Sequence, residues 1–125
     1  VAGKLRSAMR FVGRMARQDK HTMRQCWRTL KVLHGRGHER ILLYGTGQEA
    51  NIMRLLSRDA SVGIVAAAGW DGFQAGTSWS GLLLSEDDLS DRNEPIVVAA
   101  VVNVQSKISR LKAAGVDASR LWRLQ

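Results

Sequence analysis

The chain contains one cysteine, Cys26, so no internal disulfide can form. That fits a reducing compartment, and a cytoplasmic protein is the expectation. No apolar run is long enough to span a bilayer. The longest, Val62–Gly69 and Pro95–Val102, have the length of buried strands. The N-terminus is basic, but no apolar stretch follows it, so no secretory signal is predicted. Histidine does not occur after His38, which removes Ser-His-Asp and Cys-His arrangements from the last two thirds of the chain. His21, His34 and His38 lack the spacing of metal ligands on one helix face. No acidic or cysteine cluster joins them, so no metal site is expected.

What is present is unevenly distributed. The 125 residues carry a net charge of +8. Residues 1–40 hold eleven Lys/Arg against two acids, a net of +9. Residues 41–125 hold eight against nine, a net of −1. An asymmetry of this kind marks a boundary. It predicts a basic helical segment over residues 1–38 and an α/β domain over residues 39–125. The chain opens on Val1, and the expectation is a piece of something longer.

Within the basic segment, Leu5, Ala8, Met9, Val12, Met15 and Ala16 recur at helical spacing among Lys4, Arg6, Arg10, Arg14 and Arg17. A second helix is predicted from about His21 to His34. Its apolar stripe is Met23, Cys26, Trp27, Leu30 and Leu33, and Gly35 and Gly37 end it. Cys26 on that stripe reads as a core thiol rather than a nucleophile. Three roles compete for the segment: packing on the α/β part or a partner domain, contact with an anionic membrane surface, and nucleic-acid binding. Packing ranks first. Nucleic acid ranks last, because base-reading motifs are missing and aromatics make up only 6% of the chain.

From residue 40 onward, strand-like and helix-like segments alternate. Arg40-Ile41-Leu42-Leu43-Tyr44 is a short apolar run that stops at Gly45-Thr46-Gly47-Gln48-Glu49-Ala50, a G-x-G-x-x-A turn. Ala50, Ile52, Met53, Leu55 and Leu56 then give a helix, closed near Ser57-Arg58-Asp59. Strands are predicted at Val62–Ala68, Gly81–Leu84, Pro95–Val102 and Leu121–Leu124. Ser85 caps an acidic helix start, and another helix turns Ile108, Leu111 and Ala114 inward before Gly115. The alternation predicts a small Rossmann-like, three-layer α/β domain with a parallel sheet. In such a turn the first glycine permits the sharp exit from the strand. The second lets a ligand approach the backbone, and the helix N-terminus favours an anion.

These landmarks resemble the Rossmann-like nucleotide- and nucleotide-sugar-binding domains of bacterial polysaccharide-modifying proteins, such as those preceding sugar acyltransferase and nucleotide-sugar dehydratase domains. The resemblance covers roughly residues 40–124. It rests on Ile41–Gly47, Val62–Val65, Gly81–Leu84 with Glu86–Leu89, Ile96–Ala99 and Leu111–Val116. It implies that Gly45, Thr46, Gly47 and Gln48 meet phosphate or ribose, and that Asn103 lies on the same rim. The acid usual at the end of the second strand is replaced by Ala66, leaving Asp71 as the nearest carboxylate. No catalytic set emerges. The expected role is an accessory nucleotide- or nucleotide-sugar-binding domain of a larger cell-surface carbohydrate enzyme, cytoplasmic or membrane-associated. The alternatives are a fragment of an NAD-dependent oxidoreductase and an interaction module with a vestigial glycine turn.

Overall fold

A strand that is apolar on every residue needs cover on both sides. Ile41, Leu42, Leu43 and Tyr44 make such a strand, and all four are completely buried. The computed structural model describes residues 17–69 and 83–125. In order, these form helix α1 (Arg17–Gly35), strand β1 (Arg40–Tyr44), α2 (Gln48–Ala60), β2 (Gly63–Ala68), α3 (Glu86–Ser90), β3 (Ile96–Val98), α4 (Val104–Ala113) and β4 (Leu121–Arg123). The predicted helix over residues 5–16, the start of the predicted third strand, and Asp71 lie outside the described residues.

The sheet is parallel throughout, in the order β2-β1-β3-β4. Helices cover both faces, so the fold is the expected small, three-layer, Rossmann-like α/β domain. Side chains alternate between two cores. On one side Ile41, Leu43, Ala67 and Val97 pack with α1 and α2. On the other, Leu42, Tyr44, Ala68, Ile96 and Val98 pack with α3 and α4, through Leu89, Ile108 and Leu111. Within the first layer α1 does what a helix following β4 would otherwise do. Met23, Cys26, Trp27, Leu30 and Leu33 are all buried there, and half-buried Trp122 and Leu124 pack against the same core. Thr29 Oγ1 accepts a 2.8 Å hydrogen bond from the Gln125 backbone, tying α1 to the residues after β4.

Several expected boundaries move. Helix α1 begins before His21, at Arg17, and its terminating glycine is Gly37, at φ +85°. There the His38 and Gly37 N–H groups donate to Leu33 and His34 carbonyls, a closed C-terminal motif that Gly35 does not form. Of the apolar residues in α2, Leu55 is exposed, because it lies off the stripe formed by Ala50, Met53, Leu56 and Ala60. Ala114 is the half-buried C-cap of α4, and Val116 fills the core beyond it. In the predicted third strand, Leu83 makes an isolated parallel bridge to Ala67, and Leu84 lies outside any strand. The run Pro95–Val102 yields only three strand residues. Its neighbour β1 ends at Tyr44, so the chain past Ala99 pairs with no strand among the described residues, and Val101 and Val102 are exposed.

At the N-terminal end of the sheet, Arg92 grips Glu94 through two hydrogen bonds of 3.2 and 2.7 Å. That fork is the main reason the Glu94 carboxyl titrates at about 2, well below its ordinary 4.5. A depressed carboxyl stabilises the fold above the unfolded-state value, and that contribution is lost as pH falls from 4.5 through 2. Glu94→Gln should therefore lower stability by about 1 kcal/mol at pH 7. It should also flatten the pH dependence of the urea midpoint between pH 5 and 2. An unchanged acid limb would show that the pair contributes nothing. Leu30→Ala should cost about 3 kcal/mol in urea unfolding, since the cavity opens in the core shared by α1 and the sheet. A loss below 1 kcal/mol would mean that α1 is not integral to the domain.

Candidate nucleotide site at the sheet switch point

The chain leaves β1 to one side for β2, then returns to the other side for β3. The two connections diverge between the C-terminal ends of β1 and β3, the place where open parallel sheets form a ligand crevice. Four of the predicted site residues lie on its β1 side. Gly45 stands at φ +128°, a conformation open to glycine, and its N–H donates to the Ala68 carbonyl at 2.6 Å. Gly45 and Thr46 are buried, Gly47 is half-buried and Gln48 is exposed. Gly47 is the N-cap of α2 and makes no side-chain cap bond. Its backbone is extended, and among the described residues a methyl group there would meet only Glu49 Oε2, at 3.7 Å. Nothing among the described residues therefore requires glycine at position 47.

Asn103 lies on the β3 side. It is exposed, adopts the left-handed conformation at φ 55°, and occupies the N-cap position of α4 without a side-chain cap bond. Ala66 is not the residue at the strand end. An irregularity in the β1–β2 register pairs Ile41 with Ile64 but Leu42 with Ala66, so Val65 and Ala66 both pack toward the α3–α4 core. The strand ends at Ala68, opposite Tyr44, which also carries no acid. Tyr44 itself is wholly buried in that core.

Two charged residues escaped notice in the sequence. Glu49 lies in the first turn of α2, half-buried, with its carboxylate beside Gly47. Lys107 reaches back from α4 to donate a 2.8 Å hydrogen bond to the Val102 carbonyl, so its ammonium group lies on the β3 rim. The available signals were an acid within the glycine turn and a lysine four residues after Asn103. Gln48 also borders a groove of about 420 Å³ along the outer side of α2, shared with Asn51, Leu55 and Arg58. A wider polar basin lies at the other end of the strands, around His38 and Arg92, away from the glycine turn. Among the described residues no group of three or more His, Cys, Asp or Glu could hold a metal ion. Among them, too, no helix is long and apolar enough to cross a membrane. No family model, curated protein sequence or solved structure matches the chain.

Cys26 lies behind the turn, its thiol 3.9 Å from the Glu49 carbonyl. Burial, with the Glu49 charge as a smaller cause, pushes it from 9.0 up to about 12. A thiol so raised is a poor nucleophile. Ellman's reagent at pH 8 should label it only as fast as the protein unfolds, and labelling should be complete in denaturant. The raised value also implies that stability is retained below pH 9 and falls as pH rises from there toward 12. Rapid labelling of the folded chain would contradict this placement.

Proposed function

We propose that the domain binds a nucleotide or nucleotide sugar in the crevice between β1 and β3, as the accessory binding domain of a larger enzyme of bacterial cell-surface carbohydrate metabolism. The observation that carries the proposal is Gly45 at positive φ, followed by the uncapped Gly47, at the switch point of a parallel sheet. The N–H groups of the first turn of α2 point toward the ligand space, as in other anion-binding helix starts. Lys107 supplies a positive charge on the opposite rim. The pathway rests on the family resemblance of the glycine turn and the strands around it. Dinucleotide oxidoreduction is less well supported, because Ala68 ends β2 where a ribose-binding acid would be expected.

A second reading is favoured by Glu49. A carboxylate in the first turn of α2 already satisfies the positive end of the helix and repels a phosphate. On that reading the turn is a structural remnant in an interaction module.

Calorimetric titration with UDP, a UDP-sugar and NAD separates the two. Binding predicts saturable heat for the uridine ligands at or below millimolar concentration, with NAD weaker. Gly47→Ala should weaken binding at least tenfold while costing at most about 1 kcal/mol of stability, since the methyl group fits the fold but obstructs the ligand. Glu49→Gln should strengthen binding several-fold by removing a like charge. A folded protein that shows no heat with any of the three, before and after Glu49→Gln, would leave the interaction module standing.

A further inference from the structure

Helix α1 has two faces with opposite fates. Its apolar stripe is wholly consumed: Met23, Cys26, Trp27, Leu30 and Leu33 are at most 5% exposed. Its outer face carries Lys20, Arg24, Arg28 and Lys31, spaced by four, four and three residues, so all four fall on one side of the helix. The row is about 16 Å long at the helical rise. Arg24 and Arg28 are exposed, and Lys20 and Lys31 half-buried. Lys31 lies against the Trp27 ring at 5.8 Å. Arg36, beyond the helix end, adds a further exposed cation. None of these five has a carboxylate partner within salt-bridge distance among the described residues, and the pairs Arg92–Glu94 and Arg110–Glu86 both lie away from α1. A row of like charge is mildly destabilising to its own helix, since cations four residues apart repel. Arg28 Nη1 donates a long, 3.5 Å hydrogen bond to the Gln125 carbonyl, a contact that needs one cation and not a row.

We propose that the outer face of α1 adsorbs to an anionic phospholipid surface, by charge alone and without insertion. A basic amphipathic helix ordinarily enters the headgroup region with its apolar face. Here that face is committed to the domain's own core, and the helix is pinned to the sheet through Thr29 and Gln125. What remains is a straight cationic row on the crest of a helix lying along a sheet, which a plane of negative charge meets along its whole length. Single-stranded nucleic acid fits less well. Its binding uses exposed aromatic faces, whereas Trp27 is buried and the Trp122 ring is covered by Arg36 at 5.2 Å. The inference does not depend on what occupies the glycine turn.

Flotation of the full chain with phosphatidylcholine vesicles containing 30% phosphatidylglycerol, at 50 and 300 mM NaCl, tests it. The expected result is binding at low salt, at least a fivefold loss at high salt, and none to pure phosphatidylcholine. The triple variant Arg24→Gln/Arg28→Gln/Lys31→Gln should lower partitioning tenfold or more with an unchanged circular dichroism spectrum. Lys112→Gln, on the opposite side of the sheet, should change it little. Absence of binding at 50 mM, binding to neutral vesicles, retention at 300 mM, or a triple variant that binds like the parent would each overturn the proposal. So would tighter, equally variant-sensitive binding to duplex DNA at matched phosphate concentration.

Discussion

Covering both faces of strand β1 is the constraint on which the remaining structure depends. A central parallel strand with four fully buried side chains cannot be left open on either side. The α2 crossover shields the β1–β2 half of one face, and α3 and α4 shield the other face. The β3–β4 half of the first face is left to α1, the helix preceding the sheet in sequence. The apolar stripe of α1 is thereby bound to the domain, and its charged side is turned outward.

The same topology generates the crevice. Because β2 and β3 lie on opposite sides of β1, their connections part above the end of β1, where Gly45 turns the chain away. Loss of strand pairing beyond Ala99 exposes Val101 and Val102 there and brings Asn103 and Lys107 to the rim. Glu49 puts a negative charge at one wall and Lys107 a positive charge at the other. A ligand would have to satisfy a polarised crevice rather than a uniformly anion-seeking one.

Much of this was legible beforehand. The stripe Met23-Cys26-Trp27-Leu30-Leu33, the glycine turn, and the Ser85 cap with its acidic first turn all depend on spacing within a single element. Each appears where that spacing predicts, including the reciprocal Ser85–Asp88 capping box. What was misjudged depends on neighbours. Val102 is as apolar as residues that are buried, and only the placement of adjacent elements leaves it exposed. Ala66 was misplaced because an extra residue in β2 shifts the register, and no local pattern announces such an irregularity in an all-apolar strand.

The sequence by itself determined the period of each element, the break at Gly45, and the excess of positive charge in the first forty residues. These follow from local backbone preference and the order of apolar side chains. Only the tertiary structure decided that α1 completes one layer of the sheet, that β2 ends at Ala68, and that Glu49 lies beside Gly47 while Lys107 reaches back to the Val102 carbonyl. Those outcomes arise from pairing and packing between segments far apart in the chain. A residue's own chemistry constrains such contacts but does not choose among them.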